Sequence, residues 1–129
     1  NMQEWVGEFT LNTGSSASLF AIAAQYDILC GELNIFIDLS SFGGYTTRFL
    51  MGYSVGSSLS KSAEINNVSG FTVTAGGTLY NETMYLNNAN GTNFAKVIVS
   101  LKVWGYGVRN NVSTGGSDLI TSSYLTRIK

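Results

Sequence analysis

Apolar and polar residues alternate with a period of two along most of this chain, the spacing of strands that bury one face and wet the other. From Phe94 to Tyr106, Ala95, Val97, Val99, Leu101 and Val103 fall on one parity, with Lys96, Ser100 and Lys102 on the other. Leu33, Ile35, Ile37 and Leu39 oppose Asn34 and Asp38, and Trp5, Phe9 and Leu11 oppose Glu4, Glu8 and Thr10. Tyr45, Phe49, Met51 and Tyr53 share a parity while Thr46 and Arg48 face away. Phe71 and Val73 alternate with Thr72 and Thr74, and Tyr80, Met84 and Leu86 with Asn81, Thr83 and Asn87. A last extended segment runs from about Leu119 to Ile128. Ser18 to Tyr26 also offers helical spacing through Leu19, Ile22, Ala23 and Tyr26. A helix that short is marginal in water and its neighbours are strands, so the segment reads as a strand.

Turn signals punctuate these runs: Thr13-Gly14-Ser15-Ser16, Gly43-Gly44, Gly56-Ser57-Ser58, Gly76-Gly77, Asn87 to Gly91, and Gly115-Gly116. Glycine and asparagine supply the positive φ of tight hairpin turns. The pattern predicts an all-β fold, an antiparallel β-sandwich of jelly-roll type with about eight to ten strands. No repeat, linker or second composition breaks the chain, so residues 1–129 are expected to form a single domain.

Composition changes the picture in two ways. Charged residues make up 12% of the chain, against a usual ~25%, and Gly, Ser, Thr and Asn together supply 55 of 129 residues. Solubility therefore rests on small neutral polar groups. There is also no histidine, no proline and one cysteine, Cys30. Histidine triads, histidine-ligated metals, an internal disulfide and thiolate zinc are excluded, and no cofactor is expected. A formal charge of −1 with no basic run makes nucleic acid a poor partner. The longest apolar run, Leu19 to Ala24, is far short of the ~20 residues that cross a bilayer, so no membrane insertion is expected. No basic residue precedes Arg48, so the start lacks the positive opening of a secretory signal, and a chain beginning Asn1-Met2 reads as a piece of a longer protein.

Sheet proteins guard their edges with proline and charge, and this chain has little of either. Its edges are expected to be closed by the fold or covered by another copy, and weakly charged faces such as Tyr45 to Tyr53 favour a homo-oligomer.

The carboxylates offer no obvious catalysis. Glu4 and Glu8 share a strand face but stand ~13 Å apart, beyond either glycosidase spacing, and Asp27, Glu32, Asp38, Glu64, Glu82 and Asp118 are scattered. Neither a nucleophile elbow nor a phosphate loop is present, so the chain is not expected to be an enzyme. Asn67, Asn81, Asn90 and Asn111 open N-x-[ST] sequons that matter only in a eukaryotic secretory pathway. Cys30 reads as a small buried hydrophobe, with no basic neighbour to activate it.

Aromatics remain. Trp104 and Tyr106 share the parity of Lys96 and Lys102, opposite the valine face, and Arg109, Asn110 and Asn111 follow them. Aromatic plates beside amide and guanidinium donors suit sugars, whose C–H faces stack on rings and whose hydroxyls take paired hydrogen bonds. A similar mixture occurs at Tyr45, Thr46, Thr47 and Arg48, and at Asn87, Asn88, Asn90 and Asn93. The competing expectation is that Trp104 and Tyr106 pack between subunits.

The segments Trp5-Val6-Gly7-Glu8-Phe9, Leu19-Phe20-Ala21-Ile22-Ala23 with Gly31-Glu32-Leu33-Asn34-Ile35, Arg48 to Tyr53, Leu79-Tyr80 with Met84-Tyr85-Leu86, Val97 to Trp104, and Tyr124 to Lys129 resemble the distal C-terminal domain of bacteriophage tail fibres and tailspikes. The resemblance implies a homotrimeric β-sandwich in the virion, at a fibre tip, binding host lipopolysaccharide, capsule or outer-membrane protein through its loops. It transfers no binding residue; Trp104, Tyr106, Arg109, Asn110, Asn111, Tyr45 and Arg48 are candidates on the parity argument alone. Two alternatives stand beside host binding. One is a structural module that caps or trimerises a fibre; the other is a capsule- or lipopolysaccharide-degrading enzyme whose carboxylates meet across subunits.

Overall fold

The computed structural model describes residues 2–23, 28–40, 43–54, 59–62, 71–78, 81–106 and 118–129. Two antiparallel sheets pack face to face. The larger is built from β1 (Met2–Leu11), β3 (Ile28–Asp38), β4 (Gly44–Ser54), β5 (Ser60–Lys61), β8 (Phe94–Tyr106) and β10 (Thr126–Arg127), in the order β10-β1-β8-β3-β4-β5. The smaller contains β2 (Ser16–Ile22), β6 (Phe71–Thr78), β7 (Asn81–Asn88) and β9 (Ile120–Thr121), in the order β6-β7-β2-β9. The chain passes between the sheets six times, which gives the jelly-roll-like antiparallel sandwich that the alternation predicts. No α-helix occurs among the described residues.

In β1, β3, β4 and β8 the odd-numbered positions turn inward. Leu33, Ile35, Phe49, Val97, Val99, Leu101 and Val103 are all buried, against Ala17, Leu19, Phe20, Ile22, Val73, Met84, Leu86 and Ile120 of the smaller sheet. Each large side chain buried this way contributes roughly 1.5–3 kcal/mol. Ser16–Ile22 is a strand, which bears out the strand expected from Ser18 as far as Ile22; residues 24–26 lie outside the described residues.

Several positions depart from simple alternation, for identifiable reasons. Ala95 is exposed and Phe94 buried, because the β1–β8 register slips: Phe9 faces Val97 but Leu11 faces Phe94. The extra residue is a β-bulge in β8 that returns Phe94 to the core, edge-on to Phe71 at 6.3 Å. A second slip in β2, between Ser18 and Phe20, puts both Leu19 and Phe20 inside. The bulge also explains why Leu19 and Ile22, three residues apart, both turn inward from a strand. Gly76 and Gly77, expected in a turn, lie within β6 opposite Thr83 and Glu82. Cys30 is exposed rather than buried, because it takes an outward position of β3. The C-terminal segment forms two short strands, one in each sheet. Tyr80, the Gly56-Ser57-Ser58 and Gly115-Gly116 turns, and the Asn67 and Asn111 sequons lie outside the described residues.

The C-terminal segment is latched onto β1 by a fully buried amide. Gln3 Oε1 accepts hydrogen bonds from the Leu119 backbone N–H at 2.9 Å and from Trp5 Nε1 at 3.3 Å. Thr47 is the opposite case: it is buried, and its hydroxyl has no partner among the described residues. Desolvating an unpaired hydroxyl costs free energy that an isosteric methyl does not. Thr47→Val is therefore expected to raise the unfolding free energy by about 1 kcal/mol, read as a higher urea midpoint at unchanged slope.

Candidate functional site

The outward, even-numbered positions of the larger sheet form cross-strand rows fixed by register. Met2, Trp104, Cys30 and Gly52 make the row at one end. Next come Glu4, Lys102, Glu32 and Leu50; then Val6, Ser100, Asn34 and Arg48; then Glu8, Ile98, Phe36 and Thr46. The indole of Trp104 is half-buried, with the exposed Cys30 as its cross-strand neighbour on β3. One row along, the Glu32 carboxylate forms an ion pair with Arg48 Nε at 3.4 Å and accepts a hydrogen bond from Asn34 Nδ2 at 3.3 Å. Lys96 donates to Glu8 at 2.9 Å, and this hydrogen bond holds the exposed Lys96 ammonium above the ordinary lysine pKa.

The structure spreads the sequence-derived candidates out. Trp104 and Arg48 share the outer face, two rows or about 13 Å apart along the strands. Arg48 is already engaged by Glu32. Tyr45 pairs with Ile37 at the hairpin end of β4, about seven residues or 23 Å from the Trp104 row. It keeps the inward parity yet is 42% exposed, one position beyond the turn at Gly43 and Gly44. The backbone of Tyr106 pairs with Ile28, while the Tyr106 side chain and all of Arg109, Asn110 and Asn111 lie outside the described residues.

The asparagines of the second mixture are occupied with structure. Asn88 is buried, donates to the carbonyls of Leu11 (2.9 Å) and Thr92 (3.1 Å), and accepts from the Asn90 N–H (2.9 Å). Asn93 accepts from the Thr13 N–H at 2.8 Å, and the Thr13 hydroxyl donates to the Asn90 carbonyl. These bonds tie the β1–β2 turn to the β7–β8 turn.

The outer face of the smaller sheet has a different chemistry, which sequence reasoning missed. Its rows are Thr72, Asn87 and Ser16; Thr74, Tyr85 and Ser18; and Gly76, Thr83, Ala21 and Thr121, with no charged side chain among them. Asn87 Nδ2 donates to the hydroxyls of Thr72 and Thr74, both at 3.1 Å, and Ser16 donates to Asn87 Oδ1 at 2.6 Å. A shallow depression of about 350 Å³ opens beside this face, lined by Ser18, Ala21, Thr121, Ser122 and Ser123. The threonines at 72 and 74 were legible as outward positions. Their junction with Ser16 depends on a strand order that no local pattern shows.

Five of the six described side-chain carboxylates make structural contacts. Beyond Glu32 and Glu8, Asp118 meets Arg127 at 3.1 Å, Asp38 accepts from the Ser40 N–H at 2.8 Å, and the buried Glu82 accepts from the Leu59 N–H. Among the described residues no helix is long and apolar enough to cross a membrane.

No protein-family model matches the chain, and a search of the curated proteins finds no match. Among solved structures, the chain is similar to the tailspike protein of Acinetobacter baumannii phage AM24, with a TM-score of 0.46 and 12% identity over 97% of this chain. The chain spans 28% of the length of that tailspike.

Proposed function

We propose that this protein is a host-recognition module at the tip of a bacteriophage tail fibre or tailspike, acting as a homotrimer in the virion. It binds host surface glycan, such as lipopolysaccharide or capsule, without cleaving it. The observation that carries the reading is Trp104, a half-exposed indole at the end of β8, on the outer face and next to the small side chain of Cys30. A ring so placed offers a stacking plate at the point where the chain runs on into Gly107 to Asn111, a stretch rich in amide donors. A fold of paired strands joined by surface connections suits this division, since the scaffold positions the groups that recognise.

The test is binding of the native protein to a bacterial glycan array and to host cells. Wild-type protein is expected to bind, and Trp104→Ala to weaken binding by about tenfold or more, the effect of losing ~1.4 kcal/mol or more of stacking and desolvation. Wild type without binding, or Trp104→Ala binding equally well, contradicts the reading. The apolar residues of the same outer face favour a second reading, a capping or trimerising module without a ligand of its own. In that case the protein assembles and binds no cell.

A further inference from the structure

We infer that the outer face of the larger sheet is covered by further copies of the same chain, seated over Val6, Phe36, Leu50 and Ile98, with the Trp104 row left at the rim. The inference rests on the homo-oligomer of the reading above and is independent of its glycan. Among the described residues, five of the eight exposed large hydrophobics, Met2, Val6, Phe36, Leu50 and Ile98, stand on this face. None stands on the outer face of the smaller sheet. Leu50 is 57% exposed and Ile98 41%. Ile98 and Phe36 are direct cross-strand neighbours, so their side chains, about 5 Å apart, form one continuous apolar patch. Val6, one row along, extends it toward β1, while Leu50 stands apart on β4, two rows along and beyond Arg48.

Size, charge and edges all point to a copy of the chain as the occupant. Four strands of about ten residues, flanked by two short ones, present roughly 600–900 Å², the ~800 Å² per partner of an ordinary stable interface. The face carries four carboxylates, Glu4, Glu8, Glu32 and Asp38, and three cations, Arg48, Lys96 and Lys102, interspersed. Such a mixture is self-complementary, whereas nucleic acid or an anionic bilayer would need a surplus of positive charge. The edges of this sheet are partly covered, by the two-residue strands β10 and β5, and it is the face that carries the exposed apolar residues.

Sedimentation velocity of the wild type, Ile98→Lys, Phe36→Asp and Ser18→Lys tests the inference. The wild type and Ser18→Lys, a substitution on the other sheet, are expected to sediment as the same oligomer. Ile98→Lys and Phe36→Asp are expected to shift to monomer with an unchanged far-ultraviolet spectrum. Cross-linking of mixed light and heavy-nitrogen wild-type protein gives a readout that no variant can confuse by misfolding: links between copies are expected at Lys96 and Lys102. A monomeric wild type, outer-face variants as oligomeric as wild type, or inter-copy links confined to Lys61 and Lys129 would overturn the inference. A wild-type oligomer that binds no glycan, yet falls to monomer in the outer-face variants, contradicts the glycan reading and supports this one.

Discussion

Replacing Asn88 with leucine is expected to lower the unfolding free energy by about 3 kcal/mol or more. The side chain is buried and makes three hydrogen bonds, to the Leu11 and Thr92 carbonyls and from the Asn90 N–H. Leucine is close in size but offers no partner, so each of those groups is left to bear its own desolvation penalty of about 1–3 kcal/mol. The backbone of Asn88 adds to the junction, accepting from Gly14 N at 2.8 Å and donating to the Ser15 carbonyl at 2.9 Å. Those backbone bonds survive the substitution, so the strands should still pair and only the junction between the two turns should loosen. Chemical denaturation measures the loss. Faster amide exchange confined at first to residues 12–15 and 89–93 would show that the turns open before the sheets. Asn88→Leu with an unchanged denaturation midpoint would show that the amide is not what holds this end of the sandwich.

Gly7→Ala is expected to cost about 2–3 kcal/mol and to release the C-terminal segment. A methyl group at Gly7 would stand 2.3 Å from the Tyr124 carbonyl oxygen and 2.7 Å from Leu125 Cδ2. The first of these is backbone and cannot rotate away, so the segment must lift, and overpacking of this kind costs about 1–3 kcal/mol. Lifting it also strains the Phe9–Tyr124 ring contact at 4.6 Å and the β1–β10 pairing of Trp5 with Arg127 and Val6 with Thr126. A glycine in mid-strand ordinarily weakens the strand, which makes this one legible as a site of close approach. Limited proteolysis should cut the variant within residues 118–129 while the wild type resists. Equal resistance in both would show that the segment is not seated against Gly7.

Much of this fold could be read from single positions. The inward parity of Leu33 to Leu39 and of Val97 to Val103 appears unaltered in the core, because a strand buried on one face leaves a period that needs no knowledge of its partners. The bulges were not legible, since one inserted residue in β8 or β2 changes the register without changing composition. Nor were the cross-strand groupings: Glu32 meets Arg48, and Ser16 meets Asn87, only after the sheet order is known. One signal was present and unused. Val6, Phe36, Leu50 and Ile98 are apolar residues on the polar parity of their strands, exceptions to the alternation that mark the outer face. The candidate site suffers most from this asymmetry, because parity says which side of its strand a residue takes and not which residues lie beside it, and the structure separates Tyr45 from Trp104 by most of the length of the sheet.

In the assembly proposed above, the neutral polar face of the smaller sheet stays in water and the outer face of the larger sheet is covered by other copies of the chain. Light scattering of the native protein, at micromolar concentration and physiological salt, tests this most directly. The account predicts a mass close to three chains of 13.8 kDa. A mass of one chain under the same conditions would contradict it.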